Sequence, residues 1–176
     1  MSTATLIAFK DGKECAGVEF RNSWGGAARI WNALFAAYVP KKHQWDSWAL
    51  SPDDRRLWDL ATRQDVPLSE RAVHAFTFDR FYVPRENFHR MAANLREFVA
   101  KYPAGEAVDH LPAWAKWLEE NPTNADAVGL YATSVSDNPW RRSKTCEHCG
   151  HETDETESIP LSEGTEVYEW LKEDKR

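Results

Sequence analysis

The stretch ATLIAFKDGKECAGVEF, residues 4–20, contains two short runs of β-forming residues joined by Asp11-Gly12-Lys13. An Asp-Gly pair between two such runs is a strong hairpin signal, because both residues tolerate the positive φ angles that a tight turn requires. The stretch therefore predicts two antiparallel strands, and the remaining elements are expected to pack on them.

Two segments further along the chain repeat apolar residues at every third or fourth position, which is the pattern of a helix with one buried face. The first runs from Trp24 to Tyr38 and is stopped by Pro40. The second follows Pro84 and reaches Tyr102. Each segment predicts an amphipathic helix that packs on the sheet.

Shorter elements complete the prediction. Short helices are expected just after Pro52 and over residues 112–121, and strands over residues 72–79 (AVHAFTFD) and 127–135 (AVGLYATSV). Strands and helices are grouped rather than alternating along the chain. This order favours an α+β fold, a mainly antiparallel sheet with helices packed on one face.

Composition is ordinary for one globular domain: 42% of the 176 residues are hydrophobic and 28% are charged. No apolar run reaches the length of a membrane span, so no membrane partner is expected. The N-terminal residues lack the basic and apolar regions of a signal peptide, which predicts a reducing, cytoplasmic location.

The negative charge is concentrated in one part of the chain. Residues 145–176 carry ten acids and three bases, whereas the other residues carry 18 acids and 19 bases. We therefore predict an α+β body over residues 1–138 and an acidic appendage over residues 139–176 that packs on the same domain. Such a segment repels nucleic acid and attracts basic protein surfaces.

Residues 144–157, KTCEHCGHETDETE, hold the most specific chemical signal. Zinc prefers thiolate and imidazole ligands in a tetrahedral array, and Cys-x-x-Cys is the tightest spacing at which two thiolates hold one ion. A glycine after the second cysteine, here Gly150, relieves the turn between them. Cys146 and Cys149 are therefore expected to bind a metal rather than form a disulfide. The six residues 146–151 resemble one knuckle of a zinc ribbon or rubredoxin-type site.

A zinc ribbon has two such knuckles and this chain has one, so further ligands must come from elsewhere. The predicted ligands of a structural zinc ion are Cys146, Cys149, His151 and Cys15. Alternatives for the fourth position are His43, His110, Asp154 and a second copy of the chain. A closed four-ligand site holds a loop in shape and leaves no open position for catalysis. An acid-flanked loop with two unused thiols stays open as the alternative.

Tryptophan is unusually frequent, with nine residues. Four of them fall on helical apolar stripes and are predicted in the core: Trp31, Trp58, Trp114 and Trp117. Other tryptophans lie in polar, turn-rich sequence, where an exposed ring is available for contact with a partner. The residues predicted to form an interaction surface are Trp45, Trp48, Trp140, Arg141 and Arg142.

The sequence contains no recognisable catalytic set. The Glu86/His89 pair lacks the partner motif of a di-iron bundle. We therefore expect a non-enzymatic protein-interaction or inhibitory module, directed at a basic surface of a nucleic-acid-handling protein. A homodimer is a further partner that the sequence allows. One alternative is an enzyme whose site uses His74, Asp79, Arg80 and His89. The other is a nucleic-acid binder, disfavoured by the net charge, that acts through Trp140, Arg141 and Arg142.

Overall fold

The computed structural model of the chain describes residues 2–40, 55–105, 108–146 and 148–173. The predicted surface residues Trp45 and Trp48 and the alternative ligand His43 lie outside the described residues.

The described residues form an α+β fold. The strands are β1 (Thr3–Lys10), β2 (Lys13–Arg21), β3 (Phe81–Pro84), β4 (Ala127–Tyr131), β5 (Arg141–Thr145), β6 (Glu152–Ser158) and β7 (Thr165–Glu166). The helices are α1 (Ala27–Tyr38), α2 (Arg55–Asp59), α3 (Leu68–Ala75), α4 (Phe88–Lys101), α5 (Leu111–Glu120) and α6 (Val167–Glu173). The main sheet has the order β2-β1-β4-β3-β7 and is antiparallel except between β3 and β7. The predicted class and its mainly antiparallel sheet are confirmed.

The predicted hairpin forms one side of this sheet, with β2 as an edge strand. β1 pairs with β2 along its whole length and with β4 along its other edge. The turn consists of Asp11 and Gly12, whose φ angles are 51° and 75°. Positive φ at both central residues gives a type I′ turn, whose twist matches that of the paired strands.

Helices cover one face of the sheet. From β1, Leu6 points into this layer, and α4 contributes Met91, Leu95 and Phe98, each at most 1% exposed. These three residues are spaced three and four positions apart, so they form the single buried stripe of α4 that the sequence predicts.

The prediction of a strand over residues 72–79 is wrong, because Leu68–Ala75 form the helix α3. Every residue from Glu70 to Phe78 is buried. A helix enclosed by protein on all sides loses the polar stripe that marks a surface helix, so its apolar run resembles a buried strand. The predicted strand over residues 127–135 does form, but β4 ends at Tyr131.

A charged network joins α1, α3 and α4. The Glu70 side chain is 5% exposed and forms an ion pair with Lys101. It also accepts hydrogen bonds from the hydroxyl groups of Tyr38 (2.9 Å) and Tyr102 (2.7 Å). The hydrogen bond to Glu70 raises the pKa of Lys101, so this amine stays protonated and acts as a structural cation rather than as a base.

Trp140 covers the opposite face of the sheet. Its ring lies 4.7 Å from that of Phe9, centroid to centroid, in a small second core. A β-carbon added to Gly129 or to Gly164 would come within 2.7 Å of the indole, so both glycines make room for the ring. The prediction that Trp140 lies at the surface is therefore wrong: the side chain is fully buried. The prediction relied on the polar residues next to Trp140 in the sequence, but the ring packs against residues that are distant in the chain.

Candidate functional site

The cysteine motif lies at the tip of a two-stranded arm formed by β5 and β6. All residues of β5 are exposed, and all of β6 except Thr153. The arm starts directly after Trp140 and returns at Ile159, both of which are fully buried. The Ile159 amide donates a hydrogen bond of 2.8 Å to the Trp140 carbonyl. These two residues fasten the base of the arm to the body of the protein.

Ion pairs run along the arm and neutralise its bases. The pairs are Arg141 with Glu14, Arg142 with Glu157 and Glu163, and Lys144 with Glu155. Exposed pairs of this kind contribute at most about 1 kcal/mol each, and an isolated two-stranded hairpin is only marginally stable in water. The arm has no apolar face to bury, so its shape depends on its base and on its tip.

The predicted interaction residues at the base of the arm are arranged differently from the sequence expectation. Trp140 is enclosed and has no face available for stacking. Arg141 and Arg142 are exposed, but nearby carboxylates balance both charges. By contrast, Glu152 and Asp154 are exposed and form no ion pair with any residue that the structure describes. The uncompensated charge of the arm is therefore negative.

The tip is a tight turn that points backbone amides at sulfur. Gly150 adopts a φ of 72°, and its amide donates to the Cys146 carbonyl at 2.8 Å. Hydrogen bonds from the backbone amides of Cys149 and His148, and from the Cys149 side chain, lower the pKa of the Cys146 thiol. Amide donors stabilise the thiolate, which is the form of cysteine that binds metals. The lowered pKa favours the thiolate form of Cys146.

The turn brings two thiols together but not a complete ligand set. Cys146 and Cys149 form no disulfide with each other, and the Cys149 side chain contributes to the lowered pKa of the Cys146 thiol. Within the described ranges, no three side chains of histidine, cysteine, aspartate or glutamate form a group that could hold a metal ion. A tetrahedral zinc site needs four ligands, so the two thiols of the turn do not complete one by themselves.

The other candidate ligands lie elsewhere. The Cys15 thiol, on β2, donates to the Ala8 carbonyl at 3.4 Å. His110, next to the start of α5, contacts backbone carbonyls before α1. His151 and Asp154 are exposed near the tip of the arm. The structure does not group any of these four with the two thiols, so their role as ligands stays a prediction.

The residues of the alternative enzyme site do not share one cavity. His74 is fully buried between the rings of Trp31 and Phe78, and burial lowers its pKa to about 3. His89 is exposed on α4, and Arg80 donates to the carbonyl of Pro139. Of the four candidates, Asp79 alone lines the cavity described next. An enclosed, neutral imidazole meets no substrate, so His74 is placed as a core residue.

Sequence reasoning missed a cavity of about 520 Å³ next to the C-terminal end of β4. Its lining includes Trp24, Trp31, Trp58 and Asp79, which come from three separate parts of the chain. Trp58 was predicted in the core but is 38% exposed, whereas Trp114 and Trp117 are buried as predicted. The cluster of tryptophans in the composition was a signal for the cavity, but sequence spacing does not show which rings meet.

No protein-family model, curated protein or solved structure matches this chain. Across the described ranges, none of the helices is long and apolar enough to cross a membrane.

Proposed function

We propose that this chain is a non-enzymatic protein-interaction module whose β5–β6 arm carries a structural zinc ion at its tip and binds a basic surface of another protein. The observation that carries the proposal is the tight turn that contains Cys146 and Cys149, which is closed by the hydrogen bond from the Gly150 amide to the Cys146 carbonyl and lowers the pKa of the Cys146 thiol. That arrangement stabilises a thiolate, and no residue of the turn lines the cavity described above. It suits a metal ligand better than a nucleophile.

The exposure of the arm supports a role in binding. An extended ribbon with no apolar face does not stabilise the fold, yet Trp140 and Ile159 anchor it firmly. Glu152 and Asp154 give its tip a negative charge that is complementary to a basic surface. Proteins that handle nucleic acids present such surfaces, so an inhibitor or regulator of one of them is the partner class that we favour. Reduced thiols in this role imply a cytoplasmic location.

The zinc content of the purified chain tests the first half of the proposal. We expect about one zinc ion per chain if one copy supplies all ligands, or about one per two chains if two copies share the ion. Elemental analysis combined with native mass spectrometry measures both the metal and the oligomeric mass. The double variant Cys146→Ser/Cys149→Ser should lose the metal, because serine hydroxyls do not replace thiolates.

The variant Cys15→Ser is the matched control. It keeps the metal if the ion is held at the tip alone and loses it if Cys15 completes the site. Freshly isolated, reduced protein that carries no zinc and gains none on titration would contradict the proposed site.

Removal of two negative charges from the tip tests the second half of the proposal. We expect the variant Glu152→Gln/Asp154→Asn to capture its protein partner less strongly, and with a weaker salt dependence, because two uncompensated charges are removed from the tip. Affinity capture at several salt concentrations, with cross-links mapped to the arm by mass spectrometry, provides the measurement. The control variant Glu86→Gln/Glu97→Gln removes the same charge at exposed positions away from the arm. Equal capture by both variants, or cross-links confined to the body, would sink the interaction model.

A further inference from the structure

The cavity beside α1 has the dimensions of a small-molecule site. Its volume of about 520 Å³ falls within the usual range of about 300–1,000 Å³. It lies where the chain leaves β4 at Ala132 and Thr133, next to the first turns of α1. The cavity is on the helical side of the sheet and shares no residue with the arm, so it is independent of the proposed zinc site.

Exposed apolar surface is concentrated around this cavity. Trp24 is 47% exposed, Trp58 38% and Val135 80%, and all three border the cavity. Trp31 adds a third indole, with its ring centroid 4.7 Å from that of Trp58. Large exposed apolar residues that are grouped at one concave place indicate a binding site, whereas scattered ones do not.

The hydroxyl groups in the cavity wall are already used within the protein. Ser2 and Ser23 hydrogen-bond to each other at 2.7 Å. Thr77 accepts from the Trp31 indole at 2.6 Å and donates to the His74 carbonyl. The remaining hydroxyls, those of Thr133 and Ser136, contact the backbone of their own loop. A ligand that depends on many hydrogen bonds would find few uncommitted partners here.

Asp79 is the ionisable residue among those that line the cavity. Its carboxylate is at the rim, and partial burial raises its pKa, against the opposing charge of Arg80. The Arg80 guanidinium donates instead to the Pro139 carbonyl at 3.1 Å. The cavity therefore presents aromatic rings and one carboxylate that makes no hydrogen bond with the described residues.

We propose that this cavity binds a methylated ammonium group, held against the indole rings and beside the Asp79 carboxylate. Aromatic rings attract cations through their quadrupole, and cages of such rings recognise quaternary ammonium ligands. A primary ammonium brings three N–H donors that each need an acceptor, whereas a quaternary ammonium brings none. One carboxylate and apolar rings satisfy the second kind of cation and not the first.

Nuclear magnetic resonance of the indole N–H groups tests this inference directly. The chain has nine tryptophans, and single Trp→Phe variants assign their signals. Choline and free trimethyllysine are the probes, and together they separate a small free cation from a methylated side chain of a partner. We expect saturable shifts at Trp24, Trp31 and Trp58. Trp117 and Trp140, buried elsewhere, should not move.

Charge is tested by changing the ligand and the protein separately. The neutral analogue 3,3-dimethylbutan-1-ol has the shape of choline and should bind about tenfold more weakly, as should unmethylated lysine. Asp79→Asn should weaken choline binding about threefold, whereas Asp59→Asn, which removes a nearby exposed charge outside the cavity, should not. Equal binding of the neutral analogue, or no saturable shift up to about 50 mM of either cation, would overturn the inference.

Discussion

Replacing Trp140 with alanine is expected to lower the free energy of unfolding by about 3–5 kcal/mol, the usual loss for a large aromatic side chain removed from a core. The indole is fully buried and forms most of the small core on the face of the sheet opposite the helices. Its loss should also free the base of the arm, so amides of β5 and β6 should exchange with solvent faster. Urea denaturation and hydrogen exchange measure the two effects.

The fit of Trp140 over Gly129 permits a sharper version of this test. Gly129→Ala places a methyl group 2.7 Å from the indole and should cost about 1–3 kcal/mol by overpacking. In the Trp140→Ala background the same methyl group meets no ring, so its cost should fall below about 0.5 kcal/mol. Trp24→Ala, at an indole that is 47% exposed, is the control and should cost about 1 kcal/mol at most. Additive losses from Gly129→Ala and Trp140→Ala would show that the indole does not depend on this glycine.

How much of the fold the sequence predicts depends on how local each signal is. The hairpin around Asp11-Gly12 is specified by its own turn residues, and α4 by a stripe within one helix, so both are predicted correctly. The helix α3 is mistaken for a strand because the rest of the protein buries its residues from Glu70 onward. That burial depends on the surroundings of the helix and cannot be read from its own sequence. The prediction for Trp140 is wrong for a related reason. Its indole packs against Gly129 and Phe9, which are distant from it in the chain.

The same distinction applies to the candidate sites. The Cys146 turn is encoded within six residues, and its Gly150 adopts the positive φ of 72° that glycine permits. Completion of the ligand set needs groups from outside those residues, and a single sequence cannot say which groups meet. The cavity near Asp79 is formed by five separate segments of the chain, so no local motif predicts it.

Acidification is expected to destabilise the protein through His74, in a pH range where most carboxylates do not yet titrate. Burial lowers the pKa of this imidazole from 6.5 to about 3. Below pH 6.5 the unfolded chain binds a proton at this position and the folded chain does not, so stability falls as the pH falls. The expected loss from this residue is about 2 kcal/mol between pH 7 and pH 5. Urea denaturation at the two pH values measures it.

The variant His74→Leu should remove that loss. It should also be at least as stable as the natural protein at pH 7, because neither ring nitrogen of the buried His74 has a hydrogen-bond partner in the part of the chain that the structure describes. His89→Gln, at an exposed histidine on α4, is the matched control and should keep the full pH dependence. An unchanged loss in His74→Leu would mean that other groups cause the acid sensitivity. A protein equally stable at pH 7 and pH 5 would contradict the prediction, because His74 would then take up a proton in the folded state. The contacts of its ring with Trp31 and Phe78 do not allow protonation without local opening.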